Sequence, residues 1–296
     1  MSDTLFSAFL DNSITSTTGR FAAIIGLSPS KGARSPTLWN AAFSAAGADA
    51  VMHPFDVSEV NLPGLVAALK ADPRYIGGSV AVPYKKTLVT LLDRLEPEAD
   101  RIGAVNAIYR DGTDLVGANT DGAGALAQLH GMVDDLGSRH ALLLGLGGAG
   151  LAVAAYLAGN VASLRLADRS LEKAQVFAER LGGNVRGVEP PKLSSDLRGV
   201  KLIINCTSVG HQDGDQASSL GDNSESLLDA MPDETVIYDI IYQPAETELL
   251  RQAKVIGLST LNGVGMNLDQ AVIAFEKASP SLLTIDVIRD AMQSVG

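Results

Sequence analysis

The sequence predicts an α/β protein of two domains, on three observations. Residues 141–150 read A-L-L-L-G-L-G-G-A-G, an apolar strand that runs straight into a glycine turn and a helix. Strand-like and helix-like segments alternate between residues 21 and 82, which is the order that places helices over a parallel sheet. The chain has 296 residues, enough for two domains that each bury a core.

Composition and charge exclude several classes of protein. Hydrophobic residues make up 46% of the chain and charged residues 19%, as in globular rather than disordered proteins. The formal net charge of -11 argues against nucleic acid or an anionic membrane as a partner, since both require basic surface. No window approaches the roughly 20 consecutive apolar residues of a membrane span.

The single cysteine and the opening segment indicate the compartment. Cys206 alone cannot form an internal disulfide, which fits a reducing compartment. Its position at the end of an apolar strand favours a buried, inert thiol over a nucleophile. Residues 1–20 lack the basic start and apolar core of a signal peptide. We therefore expect a cytoplasmic protein that opens with a short, poorly ordered extension.

The elements of the first half follow from apolar runs and their breakers. Ser35 can cap a helix in which Pro36 occupies the first turn, where proline is favoured. The D-G dipeptide at Asp111 and Gly112 predicts a hairpin turn. Strands are predicted at 21–26, 51–55 and 75–82, and helices from Ser35, at 62–69 and at 97–102.

The second half repeats this alternation from the glycine turn onward. A long, charged loop at 210–226 interrupts it and is expected to be flexible. Strands are predicted at 141–144, 164–167, 202–206 and 236–240, and helices at 125–130, 151–157, 171–181, 247–253, 264–275 and 281–292.

The glycine turn has the G-x-G-x-x-G register of a Rossmann-type dinucleotide-binding domain. Gly145 permits the tight turn, and Gly147 lets backbone amides approach a pyrophosphate at the start of the next helix. Asp168 ends the following apolar run, where a carboxylate meets a ribose 2′-hydroxyl. Arg169 leaves NADP open, since its guanidinium could hold a 2′-phosphate that Asp168 would repel. We expect NAD.

Two loop ends carry charged side chains in apolar or glycine-rich settings. Lys85 follows the strand at 75–82, and Asp121 stands within Asn-Thr-Asp-Gly. Taken singly, a solvated lysine and a helix cap are the common roles of such residues. Together with Asn106 they could surround a substrate hydroxyl, because a lysine in a partly dry site near a carboxylate can exchange a proton with an alcohol.

The chain resembles the shikimate dehydrogenase family over nearly its whole length from Phe21. Residues 119–122 match the family's N-T-D-G in full. The further similarities, in chain order, are Ser35-Pro36 with Asn40 (the Ser-Pro loop), Val80 with Pro83 and Lys85 (N-V-T-x-P-x-K), 104–106 (A-V-N-T), 145–149 (G-x-G-G-A), 205–210 (N-A-T-S-x-G), Asp239 with Tyr242 and Pro244 (D-x-x-Y-x-P), and 263–266 with Gln270 and Ala271.

This resemblance implies an NAD(P)-dependent interconversion of a cyclic hydroxy acid and its ketone. It implies a mostly parallel α/β substrate domain at 1–120, to which 264–296 return, and a Rossmann NAD(P)-binding domain at 121–263. Lys85 and Asp121 become the catalytic pair, and the substrate contacts become Ser35, Asn106, Tyr242 and Gln270. The cofactor contacts become Gly145, Gly147, Gly148, Ala149, Gly150, Asp168, Arg169, Thr207, Gly263 and Met266, of which Gly263 and Met266 would face the nicotinamide.

The chain departs from the family pattern around the substrate carboxylate. The family loop usually holds two serines, whereas here Gly32-Ala33-Arg34-Ser35 keeps only the second. Losing a hydroxyl bonded to a carboxylate typically costs about 1.5 to 3 kcal/mol. We therefore expect weak activity on shikimate, or a preference for a related acid such as quinate, with Arg34 able to hold the carboxylate bidentately. The other departures are Ser79, Ala81, one extra loop residue, and Trp39, which either packs the helix or reshapes the pocket.

One alternative function, and expectations about metal binding and oligomeric state, complete the sequence-based prediction. A non-catalytic dinucleotide or metabolite sensor with the same fold would explain the altered loop, but the retained Lys85 and Asp121 disfavour it. The histidines lack the close spacing of a metal site, so we expect no bound metal. Oligomeric state is left open, a homodimer included. The histidines are His53, His130, His140 and His211.

Overall fold

The structure is a computed structural model that describes residues 6–15, 19–192 and 194–295. It divides into two compact units, one formed by Met1–Thr120 and Leu268–Gly296 and the other by Asp121–Asn267. Each unit contains one six-stranded sheet. The predicted α/β class is confirmed. Among the described residues, no helix has both the length and the apolar character needed to cross a membrane.

The first unit begins with alternating strands and helices. Its elements up to the unit boundary are β1 (Arg20–Gly26), α1 (Ser35–Ala45), β2 (Ala50–Asp56), α2 (Leu62–Ala71), β3 (Tyr75–Val80), β4 (Arg94–Leu95), α3 (Pro97–Ile102), β5 (Ala107–Asp111) and β6 (Asp114–Ala118). The sheet order is β2-β1-β3-β5-β6-β4. The β1, β2 and β3 strands are parallel, whereas β5 pairs antiparallel with both β3 and β6. Asp111 pairs with Asp114 across the predicted hairpin turn.

Two apolar clusters cover the faces of this sheet, because alternate residues of β1 point to opposite sides. Phe21 belongs to one cluster, with Phe55 and Tyr75. Ile24 belongs to the other, with Trp39. The Trp39 side chain is wholly buried, with its ring centroid 5.2 Å from that of Phe275. Trp39 therefore packs the core, which is the first of the two roles that the sequence left open.

The N-terminal segment is partly built into the first core. Leu10 and Ile14 are buried in the same cluster as Phe21, and the Asn12 side chain donates to the carbonyl of Pro54 at 2.9 Å. The prediction of a poorly ordered extension is therefore wrong for residues 6–15. Residues 1–5 and 16–18, which that prediction also covered, lie outside the described residues.

The second unit has a fully parallel sheet. Its elements are α4 (Asp121–Met132), β7 (His140–Leu144), α5 (Gly148–Leu157), β8 (Ser163–Ala167), α6 (Leu171–Leu181), β9 (Val185–Val188), β10 (Leu202–Asn205), α7 (Ser224–Asp229), β11 (Val236–Asp239), α8 (Glu248–Val255) and β12 (Ser259–Leu261). Two further helices follow, α9 (Val264–Ala278) and α10 (Ile285–Gln293). The strand order β12-β11-β10-β7-β8-β9 reverses direction between β7 and β10. In open parallel sheets, ligands bind at the carboxyl ends of the strands at such a reversal.

Candidate active site

The glycine turn lies at this reversal, directly after β7. Gly145 has a φ of +88°, a left-handed conformation that favours glycine, and a Cβ there would lie 2.7 Å from the Thr207 Cγ2. A Cβ on Gly150 would collide with the carbonyl oxygen of Gly145. In contrast, a Cβ on Gly147 or Gly148 would meet no atom within 4 Å. The turn is therefore tightly packed at Gly145 and Gly150, whereas the space beside Gly147 and Gly148 is unoccupied by described atoms.

The start of α5 has no side-chain cap. Gly147 is the N-cap residue and supplies no side chain to bond the first helical amides. Such amides, together with the helix dipole, attract an anion. The open space at Gly147 and Gly148 thus adjoins a helix end that can hold a pyrophosphate.

Asp168 lies at the carboxyl end of β8 and holds the turn. Its Oδ2 accepts from the Leu146 amide at 2.8 Å, and its Oδ1 accepts from the Ser170 amide at 3.1 Å. The Lys173 Nζ lies 3.5 Å from Oδ2. Burial raises the pKa of Asp168, but the amide hydrogen bonds and the Lys173 charge outweigh it, so the pKa lies below its usual range. The side chain of Arg169 is exposed.

Thr207 is fixed by a hydrogen-bond network at the ends of β10 and β11. Its amide and hydroxyl both donate to the Asn205 Oδ1, at 3.0 and 2.7 Å. The Asn205 Nδ2 donates to Asp239 at 3.1 Å. Asp239 also accepts from the Thr247 hydroxyl at 2.7 Å and from the Ile241 amide at 3.0 Å. The buried Asp239 carboxylate therefore ties the cofactor-side loop to the start of α8.

We expect the Asp239→Asn variant to gain stability relative to the natural protein as pH rises. Burial raises the pKa of the Asp239 carboxyl in the folded protein. The contribution of Asp239 to the free energy of unfolding is therefore full below the unfolded-state pKa of about 3.9. It declines as pH rises through the pKa of the folded state. Asparagine does not titrate and keeps an oxygen for the Ile241 amide. Urea unfolding followed by circular dichroism at pH 4 and pH 7 measures the difference. A difference that stays constant, or that moves the other way, contradicts this assignment.

Helix α4 places Asp121 within the second unit. Asp121 is buried as its first residue. The next residue, Gly122, lies so close to α5 that a Cβ would be 2.5 Å from the Ala152 carbonyl oxygen. At the other end of α4, a Cβ on Gly265 would collide with the Gln128 side chain. Asp121 therefore stands on a helix packed against both the cofactor-side helix α5 and the start of α9.

Asn106 is the centre of a buried polar group in the first unit. Its Oδ1 accepts from the Thr120 amide at 2.7 Å, and its Nδ2 lies 3.1 Å from the Thr120 Oγ1 and 3.4 Å from the Gln270 Oε1. The Thr120 hydroxyl donates to the Gln270 carbonyl at 3.0 Å. The carbonyl of Lys85 accepts from the Val105 amide at 2.8 Å. The predicted residues Asn106 and Gln270 are thus in direct contact, and Lys85 is linked to them through its backbone hydrogen bond to Val105.

Four other predicted residues do not belong to the polar group around Asn106. Ser35 is the first residue of α1 and is half-buried. Tyr242 belongs to the second unit, in the loop after β11, and is half-buried. Gly263 and Met266 are also in the second unit and are buried; a Cβ on Gly263 would collide with the Ile240 carbonyl oxygen. The roles assigned to these residues remain predictions.

Thr120 and Asp56 are two residues near the candidate site whose contacts are not apparent from the sequence. Thr120 was read only as part of Asn-Thr-Asp-Gly, yet it joins Asn106 to Gln270. Asp56, at the end of β2, accepts from both the amide and the hydroxyl of Ser30. It anchors the loop that leads to Ser35. The position of Asp56 at a strand end was the available signal, since ligand loops of parallel sheets leave from that edge.

The fold and these groups define a two-unit α/β protein of the dinucleotide-binding class. A family model described as the shikimate dehydrogenase substrate binding domain matches residues 24–108. A shikimate dehydrogenase (NADP(+)) of Symbiobacterium thermophilum is 34% identical over 92% of this chain and 93% of its own. The chain belongs to the shikimate dehydrogenase family.

Solved structures agree with this assignment. Shikimate 5-dehydrogenase from Listeria monocytogenes, in complex with shikimate and NAD, superposes with a TM-score of 0.83 at 27% identity, covering 94% of this chain and 98% of its own. Quinate dehydrogenase from Corynebacterium glutamicum, in complex with NAD, gives 0.81 at 26% identity, covering 93% and 99%. Relatives therefore carry NADP(+) or NAD in their names, and the expected preference for NAD gains no support from them. Because these relatives are named as enzymes, the comparisons argue against the sensor alternative.

Proposed function

We propose that this protein is an NAD(P)-dependent dehydrogenase that interconverts a hydroxyl and a ketone on a shikimate- or quinate-like cyclic hydroxy acid. The observation that carries the proposal is the buried group of Asn106, Thr120 and Gln270, to which Asp121 is joined by a single peptide bond. This group offers hydrogen-bonding atoms for an alcohol, and the Asp121 carboxylate belongs to the next residue in the chain after Thr120. The setting is a reducing, cytoplasmic one, since Cys206 is a free, buried thiol.

The residues of the second unit fit a dinucleotide. The uncapped start of α5 and the open space at Gly147 and Gly148 suit a pyrophosphate. Asp168 presents an ionised carboxylate at the strand end where a ribose 2′-hydroxyl is bound. When bound, a nicotinamide supplies the two-electron acceptor for the alcohol carbon. A carboxylate also repels a 2′-phosphate, so we propose NAD as the preferred cofactor.

The proton is handled by Lys85 and Asp121. Lys85 lies on the loop after β3, and its carbonyl accepts a hydrogen bond from the amide of Val105, the residue before Asn106. Asp121 directly follows Thr120, whose amide donates to Asn106. Both residues are therefore linked through the backbone to the same polar group, which supports assigning them a shared role. In the oxidation, the Lys85 amine takes the proton of the alcohol, and the Asp121 carboxylate stabilises the ammonium that results. Asn106 and Gln270 orient the hydroxyls.

The substrate carboxylate is held by Ser35 and Arg34. Arg34 is the N-cap residue of α1 and Ser35 the first helical residue, so both stand where the helix dipole favours an anion. A guanidinium can bind a carboxylate through two parallel hydrogen bonds. This pair replaces the two-serine arrangement of the family loop and motivates quinate as a substrate alongside shikimate.

A substrate and cofactor panel tests the proposal. We expect turnover of quinate or shikimate, followed by the absorbance of reduced nicotinamide, with a higher kcat/KM for NAD than for NADP. Asp168→Asn should shift that ratio toward NADP by about tenfold, because it removes a like charge from the phosphate position. Nucleotide binding without turnover of any cyclic hydroxy acid would overturn the proposal and favour a sensor. An unchanged cofactor ratio in Asp168→Asn would overturn only the role of Asp168.

A further inference from the structure

The crossover from β9 to β10 packs on the second unit's sheet, where Leu197 and Val200 lie in one cluster with Leu142. Among its described residues, this crossover contains a short 3-10 turn at Ser194–Leu197 and no α-helix. The strands β8 and β9 beneath it carry Arg165 and Arg186, which are register partners on neighbouring strands. Like charges in such a position are unfavourable. The arrangement is therefore costly unless something compensates the charge.

A cavity of about 490 Å³ lies against these two side chains. We name it the arginine cavity. Arg198 contributes a third guanidinium, and no carboxylate lines the cavity. Its remaining polar side chains are His140, Ser163 and Asn184. In a protein of net charge -11, this is a local concentration of positive charge.

The three guanidiniums of the arginine cavity form no ion pair within the described part of the chain. Arg165 donates to the carbonyls of Asp196 and Arg198 at 2.6 and 2.9 Å, while its Nε is buried with no hydrogen-bond partner there. The side chains of Arg186 and Arg198 are exposed, and neither forms an ion pair with a described residue, although Glu189 and Asp196 line a second cavity that Arg165 and Arg186 also line. Burial and then the charge of Arg186 lower the pKa of Arg165. Two like charges therefore lie at neighbouring strand positions, and neither has an ion-pair partner among the described residues.

We propose that the arginine cavity binds a small phosphate-bearing molecule carrying at least two negative charges. Guanidinium groups match phosphate oxygens in geometry and bind them through parallel hydrogen bonds. The cavity volume falls within the range of small-molecule sites. The Asn184 amide already donates to the carbonyls of Val161 and Ala162, and the His140 Nδ1 is bonded to Ser163, so the arginines are the groups that would hold the ligand. A bound phosphate would remove the repulsion between Arg165 and Arg186.

This site lies apart from the glycine turn within the same unit. The cavity lining includes Ser163, the first residue of β8, whereas Asp168 follows the last residue of that strand. Five strand residues span roughly 16 Å. The phosphates of a dinucleotide on the glycine turn are therefore not the ligand of the arginine cavity.

Calorimetry with inorganic pyrophosphate tests the proposal, with saturating NADH and NADPH present to occupy the glycine turn. The natural protein should bind pyrophosphate, and the variant Arg186→Gln/Arg198→Gln should bind it at least about tenfold more weakly. The matched control is Arg101→Gln, which removes one exposed guanidinium from the last turn of α3. It should bind as the natural protein does. Absent binding, or equal binding by the double variant, overturns the proposal.

Thermal unfolding gives an independent readout. Removing one member of a like-charge pair should raise the Tm of ligand-free Arg186→Gln at low salt. Pyrophosphate should raise the Tm of the natural protein and should raise that of Arg186→Gln much less. A lower Tm for ligand-free Arg186→Gln would show that the arginine stabilises the fold itself, and would overturn the proposal. Neither readout depends on turnover, so failure of the proposed dehydrogenase activity is distinguished from failure of this site.

Discussion

Replacing Lys85 by methionine is expected to lower kcat by about 10² to 10⁴-fold, the usual range for removing a general acid or base. Methionine keeps the length and the apolar stem of the side chain and removes only the amine that exchanges the proton. Cofactor affinity should change little, because the dinucleotide contacts that we propose all belong to the second unit. Steady-state kinetics measures the first quantity, and titration of protein fluorescence with reduced cofactor measures the second.

The adjacent lysine provides the matched control. Lys86 is exposed, whereas Lys85 is half-buried, and the two share the same loop. Lys86→Met should therefore keep kcat within about threefold of the natural protein, as expected of a surface substitution. Equal losses in the two variants, or a loss of cofactor affinity as large as the loss of kcat, would remove Lys85 from the chemistry.

Replacing Gly150 by alanine is expected to weaken cofactor binding by about a hundredfold and to lower the Tm. The added Cβ would collide with the carbonyl oxygen of Gly145 and lie 3.1 Å from the Cys206 Cβ. The turn must shift to relieve that contact. Overpacking a tight site typically costs about 1 to 3 kcal/mol, and a displaced turn no longer aims its amides at a pyrophosphate. Cofactor titration and thermal unfolding measure the two effects.

Gly159 is the corresponding control for the substitution. It follows α5, and a Cβ there would meet no atom within 4 Å. Gly159→Ala should therefore bind cofactor as the natural protein does and should unfold at a similar temperature. A Gly150→Ala variant with unchanged cofactor affinity would contradict the assignment of the turn to the dinucleotide.

The turns and helix ends that depend on residues close in sequence could be predicted from local patterns. The glycine turn and Asp168 follow from spacing, because a strand, a glycine turn and a helix N-terminus must come in that order. The hairpin after Asp111 follows from its D-G dipeptide. Helix α3 at Pro97–Ile102 matches its predicted bounds, since Pro97 suits the first turn and Gly103 ends the helix in a left-handed conformation.

Contacts between distant residues could not be predicted in this way. The Thr120 hydroxyl bonds the Gln270 carbonyl across 150 residues of sequence, and no local pattern specifies that pairing. The short strands β9 and β12 were missed because Val185–Val188 and Ser259–Leu261 are too brief to show a period. Leu10 and Ile14 were assigned to a loose extension because their burial depends on Phe21 and Phe55.

The central claim is that Lys85 and Asp121 act together on the same substrate hydroxyl. A double-mutant cycle on kcat tests this claim most directly. We expect Lys85→Met and Asp121→Asn each to lower kcat strongly, and the double variant to be at most about tenfold slower than the worse single variant. Losses that multiply in the double variant would mean that the two side chains act independently, and would contradict the account.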